Sequence, residues 1–289
     1  MKLIDRQGQV LSTGNAQDKC LGFLYGTAPG RAIISILIKP GISKACGRLL
    51  DTGLSAYIVP YFCKTNGIDM SEYQENAFCS FNDFFTRKIK SELRPIDEDE
   101  NVLISPCDSR LTFYRLNRET RFCVKNTKYD LHKLLKNEKL AKEYEGGYIG
   151  IFRLCVDDYH RYHYIDDGIK GKEHRINGVF HTVNQAANEK YPIYKENTRE
   201  YCIHRTKNFG DVIVMEVGAL LVGRIVNKKG VQKAVRGKEK GYFEYGGSTV
   251  ILIFKKDTII PDKDILENTR KGCETRVKLG ERIGVKKLK

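Results

Sequence analysis

Apolar residues in the first third of the chain recur at helical intervals. Ile34, Leu37 and Ile38 form one group and Leu49, Leu50, Leu54 and Ile58 another, with Pro40-Gly41 breaking the series. This pattern predicts helices up to about Lys90. Arg31, Lys39, Lys44 and Arg48 are interleaved, which suits either a helix pair on a membrane surface or a helical layer packed on a core. Ser80-Phe81-Asn82-Asp83-Phe84-Phe85-Thr86-Arg87 reads as a helix start. Ser80 is its N-cap, Asp83 makes a variant of the capping box, and the phenylalanines belong to the core. The acidic stretch from Ser91 to Asn101, which includes Arg94-Pro95, reads as an exposed connection.

From Val102 the texture becomes that of β-structure. Strand candidates are Val102 to Ser105, Leu111 to Tyr114, Tyr148 to Cys155, Gly178 to Val183, Val212 to Val217, Leu220 to Val226 and Thr249 to Phe254. Leu131 to Glu143 reads as a Lys-rich amphipathic helix. The expected class is α+β: a helical N-terminal layer followed by a mainly antiparallel β domain with helical insertions. The working division is 1–90 and 91–289. No run reaches the roughly eighteen apolar residues of a spanning helix. The best, Ala32 to Ile38, ends at Lys39-Pro40-Gly41.

Charge narrows the partners. The 50 basic and 36 acidic residues give a formal net charge of +14, which favours an anionic partner: nucleic acid, an anionic membrane surface or an acidic small molecule. No recognised nucleic-acid motif is present, so nucleic acid is not expected. The nine cysteines include no CxxC pair, and Met1 to Arg6 meets charge before any apolar signal core. Reduced thiols on the cytoplasmic side follow from both.

Three stretches have chemical potential. Gly241-Tyr242-Phe243-Glu244-Tyr245-Gly246-Gly247-Ser248-Thr249 precedes an apolar strand, so Ser248 stands where a bend can turn its hydroxyl onto the carbonyl before it. Taken alone it is equally an ordinary loop-to-strand turn. Asp158-Tyr159-His160-Arg161-Tyr162-His163 holds two histidines three apart. They suit acid–base work better than a metal, since no third ligand lies at suitable spacing. Ser105-Pro106-Cys107-Asp108 puts a carboxylate in a strand turn, either as an Asx-turn or as an orienting group. The chain order Asp, His, Ser is one that nucleophilic triads adopt.

Together with Phe81 to Arg87, Leu103 to Asp108, Val183-Asn184, Phe209-Gly210-Asp211, Glu216 to Ala219, Val222-Gly223 and Lys240 to Val250, these stretches resemble the phosphatidylserine decarboxylase family, in family order over roughly residues 75 to 285. The resemblance implies a self-processing proenzyme. Ser248 attacks the Gly247 carbonyl, with His163 as base and Asp108 orienting it, and an ester forms by N-to-O acyl shift. β-Elimination then releases a large chain, 1–247. Hydrolysis leaves a pyruvoyl group at position 248, capping a small chain, 248–289. That group forms a Schiff base with the substrate amine and takes up the electrons left by loss of CO₂. His160 is the candidate for protonating the resulting carbanion, and the division of roles between the two histidines stays open.

The resemblance further implies phosphatidylserine as substrate and phosphatidylethanolamine as product. It implies a heterodimer of large and small chains, able to oligomerise further. The expected location is peripheral, on the cytoplasmic face of the cell membrane, with 1–90 as the membrane-associating region. A decarboxylase for another amine, or an unprocessed lipid-binding homologue, are the alternatives. Three positions depart from the family pattern: Ser109 replaces a usual glycine, Gly246 stands where many members carry leucine, and Lys238 stands where an acid is expected.

Overall fold

The computed structural model describes residues 2–11, 24, 26–38, 40–117, 121–124, 127–179, 181, 193–219, 224–246 and 248–288. The strands that frame the site are, in chain order, β1 (Ser109–Arg115), β2 (Tyr148–Leu154), β3 (Arg161–His163), β4 (Arg199–Thr206), β5 (Asp211–Val217), β6 (Glu239–Phe243), β7 (Ser248–Phe254) and β8 (Glu274–Val277). All of β7 is buried, which explains its unbroken run Val250-Ile251-Leu252-Ile253-Phe254: a strand covered on both faces has no polar side to alternate with. It pairs antiparallel with β2 along its whole length and with β5 from Thr249 to Ile253.

These strands belong to an eleven-stranded sheet. Its order is Gln232–Ala234, Gly168–Lys170, β4, β5, β7, β2, β1, β8, Leu3–Ile4 and Val10–Leu11, with His174–Ile176 beside β4. Every pairing is antiparallel except that of Leu3–Ile4 with β8. Two three-stranded sheets flank it, one of Ile225–Asn227, β6 and β3, the other of Ile259–Pro261, Arg282–Lys286 and Val102–Ile104. The class is α+β, dominated by antiparallel sheets, as expected.

The N-terminal region contains helices α1 (Ala28–Leu37), α2 (Pro40–Leu50), α3 (Val59–Asn66) and α4 (Phe81–Phe85). It is not helical throughout. Leu3–Ile4 and Val10–Leu11 form a hairpin, turned at Gly8 with φ 87° and held by Asp5, whose Oδ1 accepts from the amides of Gln7 and Gln9. In α1, Ile34 is buried, and Leu37 and the following Ile38 pack on the main core. Leu49, Leu54 and Ile58 instead face solvent. The capping at Ser80 is as expected: its Oγ accepts from the Asp83 amide, and Asp83 accepts from the Cys79 amide. No described helix is long and apolar enough to cross a membrane.

Three sequence expectations change. The helix expected over Leu131 to Glu143 is two short ones, Leu131–Leu135 and Glu138–Lys142, because Lys136 turns left-handed (φ 49°) and Asn137 caps the second. Gly178 to Val183 shows only an isolated bridge at Val179, with positions 180, 182 and 183 outside the described residues. The candidate from Leu220 to Val226 has strand from Ile225 on, and 220–223 lie outside the described residues.

Two buried ion pairs tie strands that do not neighbour one another, one between sheets and one within the large sheet. Lys240 Nζ lies 2.7 Å from Glu216 Oε1 and 2.7 Å from Asn227 Oδ1, joining β6 to β5. Arg153 on β2 grips Glu274 on β8 through Nε at 2.7 Å and Nη2 at 2.6 Å. Removing one member leaves the other charge buried and unpaired, which costs about 3–5 kcal/mol, whereas an apolar pair of similar volume can be neutral. Glu274→Leu should therefore lower the urea midpoint strongly, and Arg153→Leu/Glu274→Leu should recover most of the loss. Equal midpoints for the single and double variants would count against this account.

Candidate active site

The segment leading to Ser248 is threaded through close contacts. Gly241 on β6 lies so near its neighbours that a Cβ there would stand 2.3 Å from the Val226 carbonyl oxygen and 2.7 Å from the Tyr162 hydroxyl, so only glycine fits. The Phe243 amide donates to the His160 carbonyl at 3.0 Å, and the Tyr245 amide to Asn82 Oδ1 at 3.1 Å. Gly246 has φ 129°, a conformation that a leucine would adopt only under strain, which accounts for the glycine this chain carries there. Gly247 lies outside the described residues. Ser248 then opens β7 opposite Leu154, fully buried, and its Oγ has no hydrogen-bond partner among the described residues. A buried hydroxyl without a partner costs about 1–3 kcal/mol, so its position demands a reason.

The two histidines occupy different settings. His160 is buried against the Phe85 ring, centroids 4.1 Å apart. Its Nδ1 lies 2.9 Å from the Asp158 carbonyl, which can only accept, so Nδ1 carries the proton and Nε2 is left bare and unpartnered. Burial, with a smaller contribution from the Arg87 charge, lowers its pKa to about 3. His163, on β3, is lowered to about 4, chiefly by burial, against which Glu239 and Asp108 act in the opposite sense. Its Nδ1 is also buried and has no partner among the described residues. Both imidazoles are therefore neutral near pH 7. Whatever proton His160 delivers, it must first accept on Nε2.

Asp108 lies in the turn before β1. The His163 amide donates to the Pro106 carbonyl at 2.8 Å, so the histidine strand and the aspartate turn are stitched together. Yet no hydrogen bond joins Asp108 to His163 among the described residues. The carboxylate is held by Arg94, with Nε 2.9 Å from Oδ1 and Nη2 2.7 Å from Oδ2, and by the Leu279 amide at 2.8 Å. Nor does Ser248 Oγ bond to either histidine. The structure thus brings the three stretches onto adjoining backbone without closing the triad. Ser109, the departure from a glycine, has a negative φ and begins β1 without needing glycine's freedom.

Two groups escaped the sequence reading. Arg94 was assigned to an exposed connection, yet its side chain is only 7% exposed. Its one signal was a lone cation between Leu93 and Ile96 in an acidic tract. Asp158, read only as part of the histidine motif, accepts from the Cys155 amide at 2.7 Å through Oδ2, and burial followed by the Asp157 charge raises its pKa. Its carboxylate shares a cluster with Cys155 and Asp157 whose ligand atoms lie within 4.8 Å of one another, and Arg153 donates to the Cys155 sulfur, which disfavours a cation there.

Known proteins fit this arrangement. A family model described as phosphatidylserine decarboxylase matches residues 81–285. Phosphatidylserine decarboxylase proenzyme 2 of Clostridium acetobutylicum is 44% identical over 266 residues, 91% of either chain. The phosphatidylserine decarboxylase proenzymes of Clostridium botulinum strain Hall and Clostridium novyi are each 45% identical, over 278 and 277 residues, covering 94% of either chain. The chain belongs to the phosphatidylserine decarboxylase family.

Proposed function

We propose that the chain cleaves itself between Gly247 and Ser248 and then decarboxylates phosphatidylserine to phosphatidylethanolamine. The observation that carries this reading is Ser248: a buried hydroxyl without a partner among the described residues, at the first position of a central strand and two residues beyond the Gly246 bend. The proenzyme names of the relatives support it. The residues suit a pyruvoyl group at position 248, because β7 fixes that position and Ser248 is closed to solvent there. Once formed, the pyruvoyl carbonyl supplies an electron sink for an amine substrate.

The chain's own residues divide the remaining work. Ser248 Oγ attacks the preceding carbonyl and His163, neutral and tied to the Asp108 turn, takes its proton. Asp108 acts on His163 through its nearby charge. His160 offers bare Nε2 as a proton relay for the decarboxylation step. The products are a large chain, 1–247, and a small chain, 248–289, held as a heterodimer by β7 and β8 and free to oligomerise further.

The membrane-associating part lies within 1–90 and the decarboxylase within 91–289. Leu49, Leu54, Tyr57, Ile58 and Tyr61 are all exposed within thirteen residues, beside the exposed Arg48 and Lys64. Such a run of large apolar side chains with flanking cations suits an anionic bilayer. The location that follows is peripheral, on the cytoplasmic face of the cell membrane.

Intact mass under denaturing conditions should show two chains, the smaller beginning at a blocked residue 248, while Ser248→Ala should remain a single chain and release no CO₂ from phosphatidylserine vesicles. Cleavage persisting in Ser248→Ala would overturn the nucleophile assignment. Since His163 titrates at about 4, its basic form is lost only as pH falls through that value. The self-cleavage rate should therefore stay level from about pH 8 down to about pH 5 and drop below about pH 4. A decline already under way at pH 6.5, as an unburied imidazole gives, would remove His163 from the role. Leu54→Glu/Tyr57→Glu should still self-cleave but bind phosphatidylserine vesicles about a hundredfold or more weaker, since each large apolar side chain buried contributes about 1.5–3 kcal/mol. Unchanged vesicle binding in a sedimentation assay would move the membrane face elsewhere.

A further inference from the structure

We infer that Arg94 is a positioning residue for self-cleavage, fixing the Asp108 carboxylate through which His163 is held ready. The inference rests on the roles proposed above for Asp108 and His163. Arg94 reaches Asp108 with its planar fork: Nε contacts both carboxylate oxygens, at 2.9 and 3.1 Å, and Nη2 contacts Oδ2 at 2.7 Å. The fork is itself anchored, Nη1 to the Leu93 carbonyl at 2.8 Å and Nη2 to Glu72 Oε2 at 3.3 Å. The Leu279 amide takes Oδ1 from the other side. Both partners are nearly closed to solvent, at 7% and 11% side-chain exposure, so water does not substitute for the guanidinium.

The turn that carries Asp108 is already tied to His163, whose amide donates to the Pro106 carbonyl. What remains free is the rotation of the Asp108 side chain, and Arg94 and Leu279 remove it. A carboxylate has about four lone-pair sites, and the fork and the amide occupy most of them. The direction left for an imidazole N–H is thus set by Arg94. Lysine would keep the charge but present one point instead of a fork.

The test is the rate of self-cleavage, followed by mass after release from denaturant, in Arg94→Met, Arg94→Lys, Asp108→Asn and Arg94→Met/Asp108→Asn. Asp108→Asn and Arg94→Met should each slow cleavage about a hundredfold, the range of a general-base assembly, and Arg94→Lys should recover part of the rate. The decisive reading is the double variant, which carries no unpaired buried charge and so folds even where Arg94→Met does not. If Arg94 acts through Asp108, the double variant cleaves no slower than Asp108→Asn. A double variant slower than Asp108→Asn by a further hundredfold overturns the inference and makes Arg94 a support of the fold alone. Asp108→Asn cleaving at the wild-type rate overturns it differently, by removing the role of Asp108 on which it stands.

Discussion

The structure depends on one constraint: Ser248, the residue proposed to react, is also the first residue of a strand buried along its whole length. Ser248 opens β7, which β2 pairs with residue for residue and β5 pairs with from Thr249 onward. A chain cut just before Ser248 would keep all of those ladder bonds. The new end would be positioned by its neighbours in the sheet instead of by the segment it parts from. The rest of 248–289 is bound in the same way, with β8 between Leu3–Ile4 and β1, and Arg282–Lys286 between Ile259–Pro261 and Val102–Ile104. The Arg153–Glu274 pair crosses between the two pieces as well.

That enclosure sets the electrostatics. Burial removes water from His160 and His163, and both lose their charge in consequence. A neutral imidazole is the form that accepts a proton, so desolvation leaves both histidines in the form the proposed roles require. The charged groups nearby are matched: Arg94 with Asp108, Arg161 with Glu239 at 2.7 Å. Arg87 lies buried between the Tyr73 and Phe84 rings, 4.3 and 4.6 Å from their centroids, and its charge adds to the suppression of His160. Fields of this kind act strongly because little solvent is present to screen them.

What the sequence disclosed follows from range. The β7 run, the cap at Ser80 and the Phe81–Phe85 core are local patterns, and all were legible. The Asp108 turn and the histidine pair pointed to chemistry only through the family resemblance, because each stretch alone reads equally as a polar turn. The strand Arg199–Thr206 was hidden by its polar residues, since Arg199 and His204 are buried where a strand pattern calls for apolar groups. Arg199 is satisfied by the carbonyls of Leu134, Lys195 and Asn197, partners that no spacing rule points to. Arg94 was misplaced for the same reason: its partner is fourteen residues away and meets it only in the fold. The open triad was not legible at all, because it depends on which of two neighbours the Asp108 carboxylate turns to.

The helix α3 connects this site to its surroundings. Tyr61 points outward, 73% exposed, while its neighbour Phe62 points inward onto Phe81, Phe84 and Tyr245. Tyr245 and Phe85 continue the contact to His160, with ring centroids 5.2 Å and 4.1 Å apart in turn. One side of a short helix is thus the wall of the site and the other is the face assigned to the bilayer. On the proposed membrane placement, a lipid whose acyl chains stay in the bilayer would lift only its head group past that helix, a shorter route than extraction, whose cost rises by about 0.8 kcal/mol for each methylene taken into water. The aromatic cluster anchors α3 from within, with Val59, Phe62 and Cys63 packed beside Phe81, Phe84 and Phe85, so its outer face can carry an exposed Tyr61 without needing a packing partner.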